Sequence, residues 1–185
     1  MIDRVSTNSR RDKYGSRINR DHSPLLVHAV PWLTILLGSI LPFLAIVSAI
    51  PLIPPMGFLL MLGWRLVRPG LLPVWAGFPL GLFDDLFSGQ PLGSGIVFFS
   101  VTMLAIEAFE TRFPWRSFWQ DWLAASLAIA AYIIGAALFS GADVTVLALV
   151  STGPQILLSI LIFPVIARVV AGLDRVRLLR VRVID

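Results

Sequence analysis

The amino-acid sequence predicts an all-α integral membrane protein with six transmembrane helices and both termini on the cytoplasmic side. Three observations predict it. Hydrophobic residues make up 57% of the 185, above the roughly 45–50% of soluble domains. They come in runs longer than a small soluble core can bury, with a mean hydropathy of +0.84. Taken as spans, those runs leave every Lys and Arg on one side, as the positive-inside bias requires.

Residues 1–24 carry no apolar period and are rich in Ser, Asn and Arg, which predicts a disordered arm. Arg4, Arg10, Arg11, Lys13, Arg17 and Arg20 make it basic. Asp3, Asp12 and Asp21 are interspersed among them, unlike the acid-poor composition of a mitochondrial transit peptide. The first apolar run ends near Val47, Ser48 and Ala49, a passable cleavage site. At roughly 20 residues it outruns a signal-peptide core of about 7–15, so it reads as an uncleaved anchor.

The spans fall at about 30–50, 54–67, 71–87, 94–110, 119–139 and 147–170. The second is short: its roughly 14 residues rise about 21 Å against a hydrocarbon core of roughly 30 Å. It must borrow Pro51 to Ile53, thin the bilayer or lean on its neighbours. Pro79 in the third span predicts a kink or break. In the sixth, the polar run Ser151, Thr152, Gly153, Pro154 and Gln155 predicts another. Residues 173–185 interleave Arg175, Arg177, Arg180 and Arg182 with apolar residues, a basic cytoplasmic tail whose conformation the pattern leaves open.

Arg65 and Arg68 fall between spans two and three, Arg112 and Arg116 between four and five, and Arg168 with the tail arginines at the end of six. The opposite loops hold none, and an odd number of spans would break this agreement. The isoelectric point of about 10.6 then reflects positive-inside charge and attraction to anionic lipid, so no nucleic-acid partner is expected. Cysteine is absent and His22 and His28 are the two histidines, which leaves no material for a disulfide framework, a thiolate site or a multi-histidine metal cluster. Trp32, Trp64, Trp75, Trp115, Trp119 and Trp122 fall mostly near predicted interfaces, the pattern of an aromatic belt.

Residues 77–95, GFPLGLFDDLFSGQPLGSG, carry the strongest functional signal. Asp84 and Asp85 place two carboxylates beside hydrocarbon, where an ionisable group demands a reason. The topology puts them at the outer end of span three, where the cost is lower than at mid-bilayer. Gly77, Gly81 and Asp85 recur every four residues, so they share a helix face, and the two glycines allow close helix packing. Gly89 and Gly93 supply positive φ and Pro91 fixes φ, so SGQPLGSG is a turn. A carboxylate next to such a turn accepts its backbone N–H groups and makes a rigid corner. Mg²⁺ binding for phosphoryl or prenyl transfer is the catalytic alternative, but DDxxD spacing and a second acidic set are both missing. Glu107 and Glu110, one helical turn apart, suit interfacial pairing with Arg65, Arg68, Arg112 and Arg116. No catalytic set, metal or cofactor is expected.

The order of features resembles the MreD family of bacterial rod shape-determining membrane proteins. The resemblance runs from Trp64 and Arg65 after the short second span, through Gly77 and Gly81, to LFDDLFSGQPLG. The family's pattern of the type G-xxx-G-xxx-D-xx-S-G-xx-L-G falls on Gly77, Gly81, Asp85, Ser88, Gly89, Leu92 and Gly93, with Asp84 an extra acid. Hydropathy and topology are similar over about residues 25–172, the sharp motif over about 17. The resemblance implies a non-enzymatic scaffold of the elongation machinery that builds lateral-wall peptidoglycan in the bacterial inner membrane. Its implied partners are MreC, the RodA glycosyltransferase with its penicillin-binding transpeptidase, and MreB. The family is also similar in fold to the substrate-binding subunits of energy-coupling-factor vitamin transporters, which makes a vitamin-like small-molecule binding subunit the alternative.

Overall fold

The computed structural model describes residues 24–44, 53–112, 117–141 and 146–177, and among these the chain is entirely helical. The elements are α1 (Pro24–Leu44), α2 (Met56–Val67), a 3₁₀ turn (Val74–Ala76), α3 (Gly77–Ser88), α4 (Ser94–Arg112), α5 (Phe118–Phe139) and α6 (Val146–Arg177). Residues 1–23 of the basic arm, the tail beyond Arg177, and Trp115, Arg116 and Asp143 lie outside the described residues. Three helical stretches are long and apolar enough to cross a membrane: Ser94–Arg112, Phe118–Phe139 and Thr152–Arg177.

Two elements differ from the expected spans. Helix α1 already includes Pro24, the first described residue, six residues ahead of the expected span. Between 71 and 87 no single helix forms. The chain runs irregularly from Leu71 to Pro73, makes the 3₁₀ turn and only then enters α3. Twelve residues long, α3 rises only about 18 Å. Pro79 is therefore in its first turn, where it costs no helical hydrogen bond. It marks a helix start rather than a mid-span kink.

Helix α2 solves its shortness by leaning on neighbours. Phe58, Leu59, Met61, Leu62 and Trp64 are fully buried, so the helix has apolar contacts all round, as a central helix does. Ile35 of α1, Phe99 and Met103 of α4, Ile129 and Tyr132 of α5, and Phe163 and Ile166 of α6 complete the same core. The Phe58 ring stacks on Tyr132 at 4.3 Å and meets Phe99 edge-on at 5.3 Å. Trp64 belongs to this core rather than to an interfacial belt. Its indole N–H donates to Thr34 Oγ1 at 2.9 Å. Trp75 and Trp119, by contrast, are about two-thirds exposed.

Helix α6 passes unbroken through Pro154 and Pro164, and α1 through Pro31 and Pro42. A proline inside a helix leaves the carbonyl four residues back without its partner. Two of these carbonyls are taken by another helix. The Trp122 indole N–H of α5 donates to Ile160 O, freed by Pro164, at 3.2 Å. Arg177 of α6 donates to Val27 O, freed by Pro31, at 3.3 Å.

The arginine-bearing ends of α2, α4 and α6 meet beside the start of α1. Arg65 is buried, donating to Glu107, to Glu110 at 3.0 Å and to Leu72 O at 3.2 Å. Asp174 joins Arg68 to Arg177. The first residues of the expected tail, through Arg177, are thus helical. The two aspartates of α3 lie at the opposite end of the bundle.

Candidate functional site

The site is the corner where α3 turns into α4. Helix α3 stops at Gly89, which takes φ 69° as its cap, and Gly93 follows at φ 101°, backbone that glycine adopts without steric penalty. The reversal lays α3 against α4 at backbone distance. A Cβ built on Gly81 would stand 2.5 Å from Gly95 O, and one on Gly77 2.8 Å from Ser100 Cα, so the small-xxx-small pair serves an intramolecular packing face.

This close approach delivers Asp85 to the N-terminus of α4, whose first N–H groups have no partner inside the helix. Asp85 Oδ2 accepts from Gly93 N at 2.8 Å and Ile96 N at 3.3 Å, and Oδ1 from Gly95 N at 2.6 Å and Ser94 Oγ at 3.3 Å. One carboxylate on α3 thereby caps α4, where the positive end of the helix dipole also favours it. Ser94 Oγ lies 2.8 Å from Pro91 O and 3.4 Å from Gln90 Oε1. Ser88 Oγ accepts from Gln90 N at 3.4 Å. Leu92, at the tip of the turn, is 76% exposed.

Asp84 points elsewhere. It is 4% exposed, and its Oδ2 accepts the Tyr132 hydroxyl of α5 at 2.9 Å. That hydroxyl also lies 3.4 Å from Gln90 Oε1. Across the bundle, Ser39 of α1 and Gly57 of α2 close the same spot. A Cβ on Gly57 would overlap Ser39 Oγ and stand 2.8 Å from Asp84 Oδ1. The neighbouring acids therefore serve different junctions, α3–α4 for Asp85 and the centre of the bundle for Asp84. No basic side chain among the described residues pairs with either.

This divergence removes the shared-metal chemistry. The Asp85 oxygens are committed to N–H and O–H donors, and no group of three or more His, Cys, Asp or Glu side chains placed to hold a metal occurs among the described residues. Sequence reasoning singled out Gly77, Gly81, Asp84, Asp85, Ser88, Gly89, Leu92 and Gly93; all lie on α3 or the turn after it, but Asp84 faces away from the corner. That reasoning missed Ser39, Gly57, Gln90, Gly95 and Tyr132. Tyr132 did carry a signal, as one of only two tyrosines in the chain, set in the middle of an apolar run.

Two concavities open on the bundle, one of them beside the corner. A cavity of about 250 Å³ lies between the turn and helices α5 and α6, lined by Gly89, Gln90, Pro91, Ser140, Thr152 and Gln155 among others. A larger apolar groove of about 540 Å³ runs between α4 and α5, lined by Val101, Ala105, Ala124, Leu127, Ala128 and Ala131 among others. No family model, curated protein or solved structure matches the chain.

Proposed function

We propose that the chain is a non-enzymatic membrane scaffold of the MreD type. In this reading it has six spans, both termini in the cytoplasm, and a place in the bacterial inner membrane, where it supports lateral-wall peptidoglycan synthesis. The observation that carries the reading is the Asp85 corner. A motif that resembles the family's is used here to lock two helices together, with the acid consumed as a helix cap and no oxygen free for catalysis. The distribution of arginines supports the orientation, since Arg65, Arg68, Arg112, Arg175 and Arg177 gather at one end, the cytoplasmic end by the positive-inside bias. Anionic lipid is the matching surface there.

MreC is the first partner of such a scaffold, followed by RodA with its transpeptidase and by MreB. The α4–α5 groove supports membrane-level docking. Its alanines leave room for a partner helix to approach closely, as transmembrane helix packing requires. The test is genetic and biochemical. In a rod-shaped host that depends on this chain, deletion or Asp85→Ala rounds the cells and reduces MreC recovered with the tagged protein. Normal shape and an intact complex in both strains overturn the proposal.

The cavity beside the turn favours a second reading, a small-molecule binding subunit. At about 250 Å³ it lies just under the usual ligand-pocket range of about 300–1,000 Å³, so the scaffold reading takes precedence. Mass spectrometry of the purified protein that recovers a stoichiometric non-lipid ligand would reverse that order.

A further inference from the structure

Asp84 is not used by the corner. Its carboxylate is 4% exposed, lies within the helical bundle and faces no basic group from any packed element. The titratable groups that do face it are Asp85 on its own helix and the Tyr132 phenol of α5, while α1 and α2 contribute Ser39 and Gly57. A buried ionised carboxylate without a counter-charge is strongly unfavourable. A second observation stands beside it. Ser39 Oγ, on a residue only 1% exposed, makes no well-formed hydrogen bond; it faces the same notch at Gly57 as Asp84 Oδ1, and the carboxylate is the polar group it is turned toward.

We infer that Asp84, Ser39, Tyr132 and Gln90 form a site for one monovalent cation, a sodium ion or a proton, deep at the α1–α2–α3–α5 junction. The donor set is oxygen throughout: the two carboxylate oxygens, the Ser39 and Tyr132 hydroxyls and Gln90 Oε1. Carboxylate, hydroxyl and carbonyl oxygens suit hard cations and not soft ones. A single carboxylate matches a single positive charge. Gln90 also lines the 250 Å³ cavity between the turn and helices α5 and α6, so the site borders that cavity. The inference rests on burial and geometry alone, independent of the scaffold reading, and stands or falls without any partner protein.

The full chain in lipid nanodiscs tests it with two readouts. Thermal unfolding is followed in sodium chloride against choline chloride of equal concentration, and the infrared carbonyl stretch of protonated carboxylic acids is recorded at neutral pH. With sodium as the occupant, Tm rises saturably with Na⁺, not with choline, and Asp84→Asn abolishes the rise. With a proton as the occupant, Tm ignores Na⁺, and a protonated-acid band is present that Asp84→Asn removes. Ser39→Ala keeps the acid and covers the case in which Asp84→Asn does not fold. Loss of one oxygen donor raises the half-saturating Na⁺ concentration about tenfold, the equivalent of about 1.4 kcal/mol, or displaces the carbonyl band. Absence of both the Na⁺ response and the band in the wild type overturns the inference, as does a Ser39→Ala protein indistinguishable from it.

Discussion

The two ends of the bundle hold their charges by opposite means. At one end Arg65 meets Glu107 and Glu110, and Asp174 bridges Arg68 and Arg177, so these three acids each have a cation. At the other, Asp84 and Asp85 meet a phenol, hydroxyls and backbone N–H groups and no cation. The ionic end tolerates geometric slack, because Coulomb attraction falls off slowly with distance. Neutral donors need short, directed bonds, and the corner provides them through glycines that bring backbone to within contact. The aspartate end therefore depends on directed hydrogen bonds where the other end depends on charge pairing.

The largest break in this contrast comes from Asp85→Ala. It strips the acceptor from Gly93, Gly95 and Ile96 N–H together, and at about 1–3 kcal/mol per buried orphan an overall loss of about 4 kcal/mol is expected. Equilibrium unfolding in mixed micelles measures it, and the loss should be the same at low and high salt. A loss under about 1 kcal/mol would mean that α4 caps itself.

Arg65→Ala attacks the other end. Removing one member of a buried pair typically costs 3–5 kcal/mol, but Glu107 is 47% exposed and can rehydrate, so about 3 kcal/mol is expected. The same unfolding assay should show this loss shrinking with added salt, in contrast to Asp85→Ala. Salt-independent behaviour would place Arg65 with the neutral-donor class.

The smallest effect sharpens the comparison, because the ionic end also holds a neutral bond. Trp122→Phe removes the donor to Ile160 O and should cost about 1 kcal/mol without salt dependence. Pro164→Ala restores the helical N–H for that carbonyl, so in this background Trp122→Phe should cost close to nothing. A double-mutant cycle that finds additivity instead would show that Trp122 acts through packing alone.

The features readable along the chain were those set by short spacing. Gly77, Gly81 and Asp85 fall on one face at intervals of four, and the turn follows within eight residues, so the Asp85 corner was visible locally. The partner of Asp84 was not, since Tyr132 lies 48 residues away and no spacing rule ties a tyrosine in one apolar run to an acid in another. The sequence pattern treated Asp84 as the lesser acid. In the fold, one step of about 100° round the helix turns it from the α4 face to the centre of the bundle. Helix α3 was expected too long for a related reason: hydropathy runs across Pro73 and Trp75 without registering that the backbone there is not yet helical. The shortness of α2 is legible in the sequence, while the burial of Phe58, Leu59, Met61, Leu62 and Trp64 that surrounds it comes from helices far away along the chain.

The prolines of α1 and α6 bear on how the chain is made. A membrane helix enters the lipid before it packs, and hydrocarbon offers nothing to an open carbonyl. Ile160 O, in a helix long and apolar enough to cross a membrane, gains its donor only when α6 packs on Trp122 of α5, and Val27 O gains Arg177, 150 residues away in the sequence, only when α1 and α6 have met. A half-assembled copy therefore differs from a finished one in chemistry as well as in shape. It carries unclaimed acceptors that close only when the right helices have met, which gives the assembling bundle an internal marker of completion.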